Sequence, residues 1–131
     1  MQVIFCSNNK PFALLIRLVT WSKWHHAGVI DGDEVIHARA FKGVVVEKLE
    51  DVKKRYPNHK IRELLGVSES ARSEVGKKYD WSAIFGHPFN RWDDPKRWYC
   101  FELVAKCSPL FDSEHYQSID GNDLYELSEP L

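Results

Sequence analysis

Cysteine is scarce in this chain of 131 residues, and its copies do not follow the spacing of a disulfide framework or a zinc ribbon. The three cysteines are Cys6, Cys100 and Cys107, an odd number with no Cys-x-x-Cys pair. Disulfide-stapled secreted domains use even numbers of cysteines, and zinc ribbons use closely spaced pairs. The count therefore argues against both classes and favours a reducing compartment.

Long apolar runs and basic runs are also lacking. The apolar stretch at residues 12–19 is short and contains Arg17, whereas a membrane-spanning helix needs about 20 apolar residues. No basic segment followed by a long apolar stretch opens the chain, so we expect no signal peptide, no integral membrane segment and a cytoplasmic location. The net charge is −1 and no run of five basic residues occurs, so we expect no nucleic-acid surface.

Apolar and aromatic residues are plentiful. They make up 44% and 13% of the chain, which is far from the composition of a disordered protein. A chain of this length normally forms one core, so we expect a single domain over residues 1–131.

The sequence pattern alternates short strands with short helices. Asp31-Gly32-Asp33 lies between two apolar runs and predicts a hairpin, in which residue 26 would pair with residue 37 or 38. We predict strands at residues 2–6, 26–30, 34–38, 43–47 and 59–64. We predict helices at 11–20, 49–55, from 68 towards 79, at 80–85, from about 95 through Cys100, and at 120–127, with a loop at 86–94. The fold class is α+β, an antiparallel sheet or small open barrel packed on helices.

Three residues form a candidate catalytic constellation. Cys100 lies at the predicted start of a helix, and His26 and His37 lie on the two strands of the predicted hairpin. One imidazole can accept the thiol proton while the other holds it in the right tautomer. The helix dipole and a neighbouring imidazolium lower a thiol pKa, and the first helical amides can stabilise an oxyanion. We therefore expect Cys100 to be a thiolate at neutral pH.

Other interpretations of the same residues are available. The apolar pattern Cys100, Leu103, Val104 and Cys107 is typical of a buried helix face, and free cysteine is often simply core. Cys6 and Cys107 fit that description best. A zinc site built from His25, His26, His37 and a cysteine is disfavoured, because no two ligands have the close spacing of known zinc sites.

Several short motifs in order resemble one family. His26-Ala-Gly-Val29 resembles a His-x-Gly-Val string, Cys100-Phe-Glu-Leu-Val104 resembles Cys-x-Glu-Leu-Val, and Gly76-Lys-Lys-Tyr-Asp80 resembles Gly-x-x-Tyr-Asp. Together they resemble the circularly permuted, papain-like NlpC-type cysteine hydrolases, in particular the YiiX-like branch. The spacing from His26 to His37 is similar to that in the related lecithin:retinol acyltransferase-like proteins.

The resemblance implies a role for each matched residue. Cys100 would be the nucleophile, His26 the general base and acid, and His37 the orienting residue, with no metal and no organic cofactor. Tyr79 would help to shape the oxyanion site, and Glu102 would brace the pocket. Phe101 and His37 depart from the pattern of the YiiX-like branch, where a small serine and an acidic residue are common.

The same resemblance implies a permuted papain-like fold with the nucleophile at a helix N-terminus. The expected activity is cleavage of an amide or ester through a thioester, by an amidase or peptidase acting on a small peptide or cell-wall-like substrate. Two alternatives stay open: an acyltransferase or lipid hydrolase acting on a lipid-like substrate, and a non-catalytic binding module with the same fold.

Overall fold

A six-stranded antiparallel sheet forms the centre of the protein. The computed structural model describes residues 1–7, 24, 26–39, 42–79, 97–98, 100–111 and 121–131. The strands of this sheet are β1 (Gln2–Ser7), β2 (His26–Asp31), β3 (Glu34–Arg39), β4 (Gly43–Lys48), β5 (Asn58–Glu63) and β8 (Glu129–Pro130), in the order β4-β3-β2-β1-β5-β8. Two further strands, β6 (Lys78–Tyr79) and β7 (Arg97–Trp98), pair in parallel.

Four helices are described: α1 (Leu49–Arg55), α2 (Ser68–Arg72), α3 (Cys100–Lys106) and α4 (Gly121–Leu127). They confirm the α+β class with an open antiparallel sheet. The strands predicted at residues 2–6, 26–30, 34–38, 43–47 and 59–64 are confirmed within one residue at each end. The predicted helix at 11–20, the helical piece at 80–85 and the loop at 86–94 lie outside the described residues.

The two faces of the sheet bury different clusters. Strand side chains alternate between faces, so Val3, Phe5, Ala27 and Val29 join the helix α3 in one apolar cluster. Ile4, Cys6, Ile30 and Val35 face the other way and pack with Val52 of α1. His26 and His37 have the same strand parity as Ile30 and Val35, so both imidazoles lie on the α1 face of the sheet.

Helix α1 is short and ends beside these imidazoles. Glu50 and Asp51 lie in its first turn, and Lys53, Lys54 and Arg55 lie in its last turn. Acidic residues near a helix N-terminus and basic residues near its C-terminus both complement the helix dipole. Pro57 cannot continue the helix, which ends at Arg55 and places Arg55 and Tyr56 next to the sheet.

The hairpin of β2 and β3 has a register different from the predicted one. Ile30 pairs with Val35 and Asp31 with Glu34 around the turn at Gly32, whose φ is 65°. Continued along the strands, this register places residue 28, not residue 26, opposite His37. His26 and His37 are therefore diagonal neighbours on one face, close enough for long side chains to meet. The predicted pairing of residue 26 with residue 37 or 38 is wrong, although the two rings still meet.

Gly28 provides the space for that diagonal meeting. A Cβ atom built at Gly28 would lie 2.6 Å from Val35 Cγ1 and 3.0 Å from His37 Cβ. Distances this short require the neighbouring atoms to move, so any side chain at residue 28 would push His37 away. The glycine of the His-x-Gly-Val string is therefore explained by the approach of His37.

Two predicted helix boundaries are wrong. Helix α2 ends at Arg72 and does not reach Tyr79, because turns follow it up to Gly76, which has a φ of 97° and donates to the Val44 carbonyl at 2.9 Å. The helix that carries Cys100 does not begin near Pro95, because Arg97–Trp98 is a strand paired with Lys78–Tyr79. Cys100 is thus the first residue of α3, as expected for a nucleophile.

No helix within the described residues combines the length and the apolar character needed to cross a bilayer.

Candidate active site

A chain of three side chains runs across the α1 face of the sheet. His26 Nε2 lies 2.7 Å from His37 Nδ1, and His37 Nε2 lies 2.9 Å from Glu47 Oε1. The strands β2, β3 and β4 each contribute one member. His26 is 6% exposed and His37 is fully buried, so the hydrogen bond between the two imidazoles is shielded from water, whereas the bond from His37 to Glu47 is partly buried. The structure thus brings together the two predicted histidines and adds a carboxylate that was not predicted.

Glu47 is held in place by two arginines. Arg55 donates to both of its carboxylate oxygens, at 3.1 Å and 2.7 Å, and Arg39 lies 3.1 Å from Oε1. A bidentate arginine fixes the plane of a carboxylate as well as its charge. The carboxylate of Glu47 is therefore oriented before any substrate arrives.

The electrostatic environment sets the charge states of this chain. The hydrogen bond from His37, helped by Arg55, holds the pKa of Glu47 well below its usual range despite partial burial. Burial lowers the pKa of His37, and its bond to Glu47 only partly opposes that effect. At neutral pH Glu47 is therefore ionised and His37 is neutral.

Cys100 packs with Ala27 in the apolar cluster of α3, and it also lies close enough to Cys6 and Tyr56 on the α1 face to raise the pKa of both. The thiol is fully buried at the start of α3, and the nearby backbone of Ala27, Phe101 and Cys100 itself acts to lower its pKa. Ala27 directly follows His26, so the thiol lies next to the strand that carries the histidine.

The expected resting thiolate is wrong for this geometry. Burial raises the pKa of Cys100 to about 12, and the nearby backbone offsets only part of this effect. Burial disfavours the charged form of a thiol. Any nucleophilic reaction of Cys100 must therefore begin with transfer of its proton to a base.

Tyr56 and Cys6 border the site and were not predicted to do so. The ring of Tyr56 stacks on His26 with 5.4 Å between centroids and 24° between planes. Burial raises the pKa of Tyr56, and the nearby Cys6 and Cys100 raise it further. Cys6 is fully buried in the cluster beneath α1, and burial followed by the proximity of Cys100 raises its pKa. Both side chains are therefore neutral at physiological pH.

The remaining predicted residues have mixed outcomes. Glu102 is 1% exposed in the first turn of α3, where its carboxylate helps to raise the pKa of Cys100. Tyr79 lies on β6, and the position of its side chain is outside the described part of the structure. Cys107 is buried and donates to the Leu103 carbonyl at 3.3 Å, as expected of a core cysteine. None of these observations tests a catalytic role for Tyr79 or Glu102.

The unpredicted residues carry a weak sequence signal. Glu47 directly follows the three valines at residues 44–46. Strand alternation places its side chain on the same face of the sheet as His26 and His37. Arg55 and Tyr56 lie at the end of a helix, and only the fold brings that end to β4. Strand parity was therefore sufficient to suggest Glu47, whereas Arg55 and Tyr56 required the tertiary structure.

A metal centre does not fit the described donor set. Among residues 1–7, 24, 26–39, 42–79, 97–98, 100–111 and 121–131, no group of three or more His, Cys, Asp or Glu side chains is arranged to hold an ion. Both ring nitrogens of His37 are already engaged, by His26 and by Glu47.

Comparison with known proteins identifies the fold. A scan against protein-family models and a search of the curated proteins both find no match. Among solved structures, the chain is similar to the crystal structure of the metalloprotein YiiX from Escherichia coli O157:H7, with a TM-score of 0.58 and 23% sequence identity. The similarity covers 81% of this chain and 62% of YiiX, so this chain spans less than two thirds of that protein. The two proteins share a fold, which agrees with the predicted YiiX-like branch.

We expect the buried neutral His37 to make stability depend on pH. The pKa of His37 lies below its ordinary value in the folded state, whereas in the unfolded chain it is about 6.5. The contribution of His37 is therefore fully present above pH 6.5 and is lost as the pH falls towards the folded pKa. Between pH 7 and 5, the free energy of unfolding of a His37→Gln variant should depend on pH less steeply than that of the native chain, by up to about 1.4 kcal/mol per pH unit.

Urea unfolding at pH 5, 6 and 7 measures this difference. Glu47 does not interfere, because its pKa is held below this window. A His59→Gln variant on β5 controls for the loss of an imidazole as such. Equal slopes for the native chain and His37→Gln would contradict the assignment of a neutral His37.

Proposed function

We propose that the protein is a cysteine hydrolase that cleaves an amide or ester bond, with Cys100 as nucleophile and His26 as general base and acid. The observation that carries this proposal is the proximity of Cys100 to the start of β2. The backbone of Ala27 lies close enough to the Cys100 sulfur to lower its pKa, and the preceding residue, His26, begins a hydrogen-bonded chain through His37 to Glu47. A buried thiol beside an oriented imidazole is the arrangement that nucleophilic acyl transfer requires.

The proposed reaction has two halves. His26 takes the thiol proton as the Cys100 sulfur attacks the substrate carbonyl carbon, and then gives that proton to the departing amine or alcohol as its bond to carbon breaks. The resulting thioester is attacked by water, whose proton His26 removes. The acid product leaves, and the proton returns to the Cys100 sulfur. Neutral Cys100 at rest is consistent with this scheme, because the proton moves only during attack.

The order of the groups along the chain supports a permuted papain-like enzyme. The base-bearing strand precedes the helix that carries the nucleophile, which is the order expected from the resemblance to NlpC-type hydrolases. The fold shared with YiiX is compatible with this assignment. We propose small peptides or cell-wall-like amides as the substrate class.

The histidine at residue 37 also favours a second candidate, an acyltransferase or lipid hydrolase, because the retinol-acyltransferase-like proteins share that residue type. Both candidates form the same thioester on Cys100. They differ in the acceptor, which is water in one case and an alcohol or amine in the other.

A panel of chromogenic esters and anilides, with short peptide and fatty acyl groups, tests the proposal. We expect hydrolysis of at least one class and, on rapid acid quenching, a mass increase equal to the acyl group that maps to Cys100. Product analysis with added glycerol or a primary amine separates hydrolysis from transfer. Absence of both turnover and acylation across the panel would support the non-catalytic binding module instead.

A further inference from the structure

We propose that Glu47 determines which nitrogen of His26 carries a proton, and so makes His26 a base towards Cys100. The inference rests on the proposed function of the same site. Glu47 is two hydrogen bonds away from His26 and acts through His37, so it is a positioning residue that does not contact the substrate. Its effect on the reaction is exerted through the direction of hydrogen bonds.

The direction of the hydrogen bonds from His26 through His37 to Glu47 follows from the chemistry of the Glu47 carboxylate. An ionised carboxylate only accepts hydrogen bonds, so His37 Nε2 must carry the hydrogen in the 2.9 Å bond to Glu47. A neutral imidazole has one N–H, which leaves His37 Nδ1 as an acceptor. His26 Nε2 must then donate in the 2.7 Å bond to His37. Neutral His26 consequently has its lone pair on Nδ1, the nitrogen that would exchange the proton with Cys100.

Arg39 and Arg55 prevent this direction from reversing. Arginine has only donors, and the two side chains direct their N–H groups at both oxygens of Glu47. Glu47 would need a proton of its own to donate to His37, and the arginines disfavour that form. The Glu47 end of the chain therefore stays an acceptor at neutral pH.

The charges of Glu47, Arg39 and Arg55 argue against a purely electrostatic role for Glu47. Glu47 with Arg39 and Arg55 carries a formal charge of plus one, so the cluster as a whole does not attract the positive charge that His26 gains when it takes a proton. Among the described residues, Arg39 of β3 and Arg55 at the end of α1 act to lower the pKa of His37. Cys6 of β1 pairs with His26, and the ring of Tyr56, which follows α1, stacks on His26. Fixing the tautomer is thus the effect that Glu47 is able to exert.

A Glu47→Leu substitution tests the inference because it removes the acceptor with little change of volume, and Glu47→Gln is the conservative variant. In Glu47→Gln the amide oxygen should take the place of Oε1, because that position receives N–H groups from His37, Arg39 and Arg55, whereas Oε2 receives one from Arg55. Glu47→Gln therefore keeps the direction of the chain. In Glu47→Leu the acceptor for His37 Nε2–H is gone, so His37 can carry its hydrogen on Nδ1 and donate to His26, and His26 then holds its own hydrogen on Nδ1. The base would face the thiol with a proton already in place.

Nitrogen NMR of ¹⁵N-labelled full-length protein measures the tautomers directly at pH 7.5. Signals of His26 and His37 are assigned with His26→Gln and His37→Gln variants. In the native chain and in Glu47→Gln we expect both rings to be protonated on Nε2, and in Glu47→Leu we expect both to shift towards the Nδ1–H form. The matched control is Glu34→Gln, which removes a carboxylate bound to Arg72 at 2.7 Å on the same hairpin and should leave both signals unchanged.

Kinetics provides a second readout. On an ester that the native chain hydrolyses, Glu47→Leu should lower kcat/KM by about 10- to 100-fold, as for other residues that orient a histidine, and the loss in Glu47→Gln should be smaller. In a His37→Gln background Glu47→Leu should change kcat/KM less than about twofold, because its path to His26 is already broken.

The outcomes separate this inference from the proposed function. A native spectrum with His26 protonated on Nδ1 would overturn the role of Glu47 even if Glu47→Leu did not fold. Unchanged tautomers in a folded Glu47→Leu, or additive kinetic effects of Glu47→Leu and His37→Gln, would overturn it as well. Failure of the proposed function would appear elsewhere, as full hydrolysis by a Cys100→Ala variant, and would leave the tautomer result standing.

Discussion

Replacement of Cys100 by alanine should reduce turnover of any accepted ester or amide by a factor on the order of 10⁴ to 10⁶. The proposed mechanism has no other group that can form the thioester, and removal of a nucleophile in comparable triads costs about this much. The expected residual rate is that of substrate binding and oxyanion stabilisation alone. Steady-state kinetics with circular dichroism as a test of folding measures the effect.

Cys107→Ala is the matched control for this experiment. Cys107 lies in the described structure just after the same helix, is also buried, and its thiol donates to the Leu103 carbonyl. Its pKa is likewise raised to about 12, chiefly by burial, so the two thiols differ in their neighbours rather than in their acidity. We expect Cys107→Ala to keep turnover within about twofold of the native rate, since it lies outside the site. Equal losses in the two variants would mean that damage to the helix, not loss of a nucleophile, explains the result.

Replacement of His26 by glutamine should be the second most damaging change, with a loss in kcat of about 10² to 10⁴-fold. The reason is the high pKa of Cys100, about 12, which leaves almost no thiolate at pH 7 without a base. Glutamine keeps a polar group near His37 but cannot take the thiol proton. Because a base is no longer needed once hydroxide removes the proton, the remaining activity of His26→Gln should rise with pH up to at least pH 10.

His59→Gln provides the comparison, since His59 Nδ1 contacts the Tyr56 carbonyl at 2.7 Å and does not join the His26–His37 chain. It should retain the native pH profile. A His26→Gln variant with native kcat at pH 7 would contradict the assignment of His26 as base. Tyr56, whose ring stacks on His26, would then be the candidate base.

The strands of this fold were predictable from the sequence because each is short and has a strongly apolar, β-branched pattern. Gln2–Ser7, Glu34–Arg39 and Gly43–Lys48 follow that pattern closely. The hairpin register could not be predicted to one residue. Gly32 and Asp33 form the turn, so its centre lies beyond Gly32 and each residue of β2 pairs one residue further along β3 than a turn centred on Gly32 implies. Parity survived this error, so His26 and His37 were still assigned to adjacent strands correctly.

The ends of the helices were harder to predict, because long-range pairing decides them. Val75 and Tyr79 follow Ala71 at helical spacing, yet hydrogen bonds to β4 and pairing of β6 with β7 override that local preference. The candidate site was likewise only partly predictable from the sequence. His26, His37 and Cys100 carry chemistry that is recognisable from residue type, whereas Arg55 is one of several basic residues at the end of α1 until the fold places it on Glu47.

The protonated, buried state of the Cys100 thiol has a consequence for its resistance to oxidation. Cysteine oxidation to sulfenic and higher acids proceeds through the thiolate and requires access of the oxidant. An exposed, preformed thiolate is therefore oxidised readily by peroxide. Cys100 is fully buried and keeps its proton at neutral pH, so peroxide should attack this thiol slowly.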